Sequence, residues 1–202
     1  WTYLRGEFEP ERDWMELGFA DRGWEAGGTP IGYGESYVPT VVDDMLQDAA
    51  AGNPGIWSLY VRSPFYLDDA SIVTKLRLNI RYDDGFVCYV NGVEAARVGL
   101  TGTVGEPVPF DTSATNRATE DQYQSVLITK CEVLETLVDG ENVIAIQGHN
   151  TTLTSSDFIL DPELYSDDAS ICLTNVTCED RGTGSARVRW TRASGIRYDV
   201  IE

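Results

Sequence analysis

The stretch YDDGFVCYVNGVEAARV, residues 82–98, sets a tight-turn signal on either side of a short apolar run. Asp83-Asp84-Gly85 is the first signal and Asn91-Gly92 the second. The run between them, Phe86 to Val90, is too short for a helix and apolar on both faces, so it reads as a central strand. Asn91-Gly92 suits a two-residue type I′ hairpin, in which both turn residues need positive φ. Gly85 can take positive φ at no steric cost, so Asp83-Asp84-Gly85 is expected to end the preceding strand and reverse it. That preceding strand is explicit. Residues 75–81 alternate polar and apolar strictly, with Leu76, Leu78 and Ile80 on the core face. The expectation is a β-meander in which Gly85 and Gly92 both have positive φ.

Strand signals continue at residues 56–65, 123–131, 142–148 and 156–160. Asp139-Gly140 is a further turn, and residues 133–138 suit one short helical turn. The only other helical candidate is residues 41–51, which ends before Gly52-Asn53-Pro54-Gly55. Residues 99–121 carry Gly, Pro, Thr and Asn without periodicity. A loop that long is functional or pinned by its own packing. Composition changes after Tyr165. Residues 166–170 read as a linker, followed by strands at 171–178, 186–191 and 196–201. Three strands cannot close a sandwich, so residues 171–202 are expected to be the start of a second, incomplete β domain. Its apolar set, Ile171, Leu173, Val188, Trp190, Ile196, Tyr198 and Val200, calls for contact with another copy or with the first domain.

The 202 residues carry 33 acidic and 15 basic side chains, a formal net charge of -18. A surface this acidic repels phosphate backbones, which argues against nucleic-acid binding. No apolar run approaches the length of a membrane span. The chain begins at Trp1, as expected of a processed product or a piece of a longer polypeptide. Its four cysteines match no zinc spacing. Cys88 falls in the central strand and is expected to be buried. Cys172 and Cys178, if in one straight strand, would lie roughly 20 Å apart and could not bridge. A single histidine, His149, removes any site that needs two histidine ligands.

Taken in order, several short motifs form one set: Tyr60-Val-Arg62 through Phe65, Tyr82-Asp-Asp-Gly85, Tyr89-Val-Asn-Gly92, Glu94-Ala-Ala-Arg97, residues 140–150 (GENVIAIQGHN) and Ser155-Ser-Asp-Phe158. Trp14, Trp24 and Gly32-Tyr-Gly34 lie upstream. Over residues 1–165 this set resembles the galactose-binding-domain-like jelly roll of large exported bacterial proteins. Its hairpin is also similar to that of the sugar-binding jelly roll of β-galactosidase-type glycosidases. The tail resembles the start of a fibronectin type III-like domain. The resemblance implies an all-β jelly-roll β-sandwich at residues 1–165, a linker at 166–170, and an incomplete immunoglobulin/fibronectin-like β domain at 171–202. It also implies a non-catalytic module, often carbohydrate-binding and sometimes purely structural, at an extracellular or cell-surface location.

Each polar motif has a structural alternative. Asp83 and Asp84 could hold a structural calcium ion or a sugar hydroxyl, but a turn stabilised by local Asp side-chain bonds is favoured. Adjacent carboxylates cannot flank a scissile glycosidic bond. Arg62 and Arg97 suit structural ion pairs with Asp83, Asp84 or Glu94. His149 and Asn150, with Ser155, Ser156 and Asp157, form the richest polar cluster. The serines lie on no nucleophile elbow, and His149 reads as a surface histidine. Among the aromatics, Trp14 and Trp57 are expected to plug the sandwich end. Trp24 and Tyr33, beside Gly27-Gly28-Thr29-Pro30, are more open. Asn150-Thr151-Thr152 and Asn175-Val176-Thr177 match the N-glycosylation pattern.

The resulting expectation is a ligand-binding accessory module that is not an enzyme and needs no cofactor. Trp24 or Tyr33 would be the platform for a carbohydrate or other small ligand, with His149, Asn150 and Asp157 as polar partners. Asp83, Asp84, Gly85, Asn91 and Gly92 would be structural turns. The alternative is an assembly module whose C-terminal strands pair with another chain.

Overall fold

The computed structural model describes residues 1–115 and 122–166 in full, and beyond them only the backbone of residues 173–180, 186–192 and 197–201. The first eleven strands are β1 (Thr2–Arg5), β2 (Glu25–Ala26), β3 (Ile31–Tyr33), β4 (Thr40–Val41), β5 (Ser58–Leu67), β6 (Leu76–Asp83), β7 (Gly85–Val90), β8 (Val93–Val98), β9 (Gln124–Ile128), β10 (Gly140–His149) and β11 (Phe158–Ser166). They form two sheets, ordered β2-β1-β5-β10-β7-β8 and β4-β3-β11-β6-β9. A single helical turn, α1 (Cys131–Leu134), follows β9. The 41–51 stretch forms no α-helix: it holds the end of β4 and a 3-10 turn at Asp43–Met45.

The two sheets close on one apolar core, making a β-sandwich. Alternation in β6 sends Leu76, Leu78, Ile80 and Tyr82 inward from one sheet. Leu59, Val61, Phe86, Ile144 and Ile146 meet them from the other. Phe86 and Phe158 are wholly buried, and burial of such a ring is worth roughly 1.5–3 kcal/mol.

Both turn signals are real, but they do different work. Asn91 and Gly92 have φ of 46° and 88° and close a β7–β8 hairpin, with a bulge at Ala95 between the Cys88–Ala96 and Tyr89–Glu94 pairs. Asp83-Asp84-Gly85 does not make a hairpin, which corrects the meander. β6 pairs with β11 and β9, whereas β7 pairs with β10 and β8. The motif is a corner that carries the chain from one sheet to the other, with a cis Asp83–Asp84 peptide. Gly85 does not take positive φ either. A Cβ there would come within 3.0–3.1 Å of Gly99 O, Val98 O and the Ala114 Cβ, so close approach explains the glycine.

The outer face of the six-stranded sheet is also covered. Tyr60, Val87, Tyr89 and Ala145 project from it and meet Trp14 and Val108, with Met15, Phe19, Trp24, Leu100 and Phe110 packed around them. Residues 9–24 and residues 99–115 of the loop after β8 therefore form a third layer. Arg97 pins that loop. Its guanidinium donates to both Glu94 oxygens (3.0 and 2.8 Å) and to Thr101 O and Glu106 O, while Gly105 N–H donates to Glu94. Asn91 latches the opposite end, accepting from Val143 N–H and donating to Thr136 O and the Asn142 side chain.

Strands β12 (Leu173–Asp180), β13 (Ala186–Arg192) and β14 (Arg197–Ile201) form an antiparallel sheet of their own. The expected linker and the tail's side chains lie outside the described residues. Cys88 is a buried free thiol and Cys131 is disulfide-bonded.

Candidate functional site

The polar cluster marked by the sequence is split: His149 and Asn150 are buried inside the protein, whereas Ser155 and Asp157 are half-buried and Ser156 is exposed. Tyr33 is 3% exposed, and its hydroxyl accepts from Asn150 Nδ2 (2.9 Å) and donates to Ser155 O (3.3 Å). Asp84 accepts from both Thr151 N–H (2.8 Å) and Thr151 Oγ1 (2.6 Å). Asp157 receives Ser156 Oγ at 3.1 Å and Ser155 Oγ at 3.4 Å. Asn150 is fully buried, with Oδ1 unpartnered.

His149 is also fully buried, which corrects the expectation of a surface histidine. It ends β10, and alternation turns it, like Ala145 and Gln147, toward the third layer. There Nδ1 donates to Thr112 O at 2.7 Å and Nε2 has no partner. Burial pulls its pKa from 6.5 down to about 4, so it is neutral at pH 7. No serine engages it, so Ser155, Asp157 and His149 make no hydrogen-bonded triad.

Trp24 is not with these groups. It is partly buried in the third layer, 6.2 Å from the Trp14 ring and 6.0 Å from Phe19. Arg62 lies in the same layer, its Nη2 donating to Glu16 O and its guanidinium 4.8 Å from the Phe19 ring. Among the described residues, no group of three or more His, Cys, Asp or Glu is placed to hold a metal ion.

Among the described residues, one open feature is a cavity of about 400 Å³ at the start of β5; a smaller one of about 270 Å³ lies between Trp14, Met15 and Pro109. Trp57, Phe110 and Ile56 are the larger cavity's apolar lining, and Glu7, Asp44 and Asn53 its polar lining. Trp57 does not plug the sandwich end as its sequence position suggests. Instead it is half-buried, belongs to neither apolar cluster, and makes no ring contact with described residues. Its position is nonetheless fixed, because Ile56 N–H donates to Met45 O and Asn150 N–H to Trp57 O, both at 2.9 Å. Phe110 is held likewise: Ser58 Oγ donates to its carbonyl (2.7 Å), and its N–H donates to Glu9 (3.0 Å). Asn53 braces the adjoining turn by donating to Asp44 O and Leu46 O.

Sequence reasoning passed over Phe110, Glu7 and Asp44. A usable signal was present at Trp57, which comes two residues after Gly52-Asn53-Pro54-Gly55. A large aromatic where a polar turn meets a strand sits at a sheet end, where a ring face can stay open.

No protein-family model and no curated protein matches the sequence. Solved structures similar to the chain include a beta-glycosidase from Bacteroides vulgatus, at 11% identity and TM-score 0.44, covering 95% of this chain and 23% of that one. A family 2 glycosyl hydrolase from Bacteroides cellulosilyticus is 12% identical, with TM-score 0.46, covering 100% of this chain and 27% of that one. An uncultured Clostridium beta-glucuronidase is 12% identical, with TM-score 0.47, covering 95% and 32% respectively. This chain thus spans a third or less of each enzyme's length. Likeness at this level assigns nothing of their activity to it.

Proposed function

We propose that this chain is a carbohydrate-binding accessory module with no catalytic role of its own, and that its site is the Trp57 cavity. The observation that carries this is a half-buried tryptophan, fixed by its backbone yet without a ring contact to any described residue, lining an open cavity with carboxylates beside it. A sugar ring offers an apolar face for an aromatic plane and hydroxyls for nearby acceptors. A cavity of this size, mostly apolar with a few placed polar groups, matches that chemistry. Rigid placement lowers the ordering cost of binding. The Cys131 disulfide supports an exported location, since such bonds persist in oxidising surroundings.

A glycan array probed with the whole chain and its Trp57→Ala variant tests this reading. Binding by the parent that is lost in the variant is expected. Equal binding by both would place the site elsewhere.

One observation favours the assembly reading: β12 and β14 each pair with a single strand among the described residues. Open edges recruit strands from other chains. Light scattering over a range of concentrations separates a monomer from such an assembly.

A further inference from the structure

We infer that the Trp57 cavity selects an amine-bearing, cationic sugar, such as a non-acetylated glucosamine unit, over neutral and uronic sugars. This rests on the proposed function and adds the chemistry of the ligand. The reason is the charge around the aromatic lining. Glu7 and Asp44 both line the cavity, and Glu9 holds the Phe110 backbone beside it. Among the described residues, the cation paired with this wall is Arg5, through Asp44, and its charge is already matched. It pairs with Asp44 at 2.7 Å and with Glu25. Its side chain is 18% exposed, against 55% and 57% for those carboxylates, so the cluster turns its negative groups outward.

An anionic sugar entering here would meet a net excess of negative charge, because the single Arg5 charge is shared between Asp44 and Glu25 while Glu7 adds another carboxylate to the lining. An ammonium would meet a carboxylate and an aromatic face together. Cations are attracted to the faces of aromatic rings, tryptophan most strongly. Charge-assisted hydrogen bonds to a carboxylate are about twice as strong as neutral ones. The cation–π contacts within the described residues involve Tyr3, Phe19, Tyr37 and Tyr123, so no cation among the described residues takes the face of Trp57.

Calorimetric titration with four disaccharides tests the inference at about pH 6. They are the β-1,4-linked glucosamine dimer, its N-acetylated form, cellobiose, and a glucuronic-acid-containing dimer. The glucosamine dimer should bind at least about tenfold more tightly than cellobiose or the acetylated form, and the uronate most weakly. The advantage should shrink at high salt and in Glu7→Gln, while Trp57→Ala should weaken every sugar. Cellobiose or the acetylated dimer binding as well as the amine would overturn the charge selection and leave sugar binding standing. Tightest binding by the uronate would overturn the selection outright. Absence of binding by all four, or binding indifferent to Trp57→Ala, would remove the sugar site and the inference with it.

Discussion

Two groups of residues lie back to back at one end of the sandwich, and they differ in almost everything but position. On one side Tyr33, Asp84, His149 and Asn150 are polar, conspicuous in sequence, and buried. On the other, Trp57, Phe110, Glu7 and Asp44 are less conspicuous and line an open cavity. They are joined directly, since Asn150 N–H donates to Trp57 O and Ser58 pairs with His149 across the sheet. The contrast teaches that polar density in a sequence marks where the backbone needs help as readily as where a ligand binds. Buried polar groups are there to satisfy one another. A binding site needs a surface that nothing inside the protein has claimed.

The comparison is broken most forcefully on the closed side. Asp84→Ala removes the acceptor of two Thr151 hydrogen bonds from a carboxylate that is 3% exposed. A loss of about 2–3 kcal/mol of stability is expected in denaturant melts. Sugar affinity of the folded protein should be unchanged.

Acid probes the same side. The folded-state pKa of His149 lies below its usual 6.5, so its contribution to stability is complete above about pH 6.5. That contribution is lost as pH falls through about 4, because the unfolded chain takes up the proton first. Melting temperatures measured from pH 7 to pH 4 should fall more steeply for the parent than for His149→Gln. Parallel curves would mean that the histidine is not buried neutral.

The open side should respond the other way. Trp57→Ala is expected to cost at least about tenfold in sugar affinity, equivalent to about 1.4 kcal/mol. Its cost in stability should stay within about 0.5 kcal/mol, because the ring packs on neither core cluster. Below the Trp57→Ala effect on affinity, and a control remote from both groups, is Gly92→Val. A β-branched residue at a φ of 88° should lower stability by about 1 kcal/mol. An unchanged melting temperature would contradict the hairpin.

Much of this architecture could be read from local pattern. The alternation of residues 75–81 gave β6 and its inward face, and Asn91-Gly92 gave a hairpin of the expected kind, because both signals are set by backbone chemistry within a few residues. Asp83-Asp84-Gly85 was misjudged because a hairpin and a corner between sheets begin with the same turn residues. Only the partners of β6 and β7, which lie far along the chain, tell them apart. His149 was misjudged for a related reason. Its burial comes from the loop after β8, and nothing near residue 149 announces that cover. Trp24 and Tyr33 were paired by their closeness to a glycine-rich turn, yet one joined the third layer and the other the buried polar cluster. The cavity gathers residues from around positions 7, 44, 57 and 110, a proximity that only the folded sheets create.

The most direct measurement is an NMR titration that follows the indole N–H signals of the chain's five tryptophans as cellobiose or the glucosamine dimer is added. The signal that disappears in Trp57→Phe identifies Trp57. The account predicts that this signal moves progressively to saturation while those of Trp14 and Trp24 stay in place. A stationary Trp57 signal, with Trp24 or Trp14 moving instead, would contradict it.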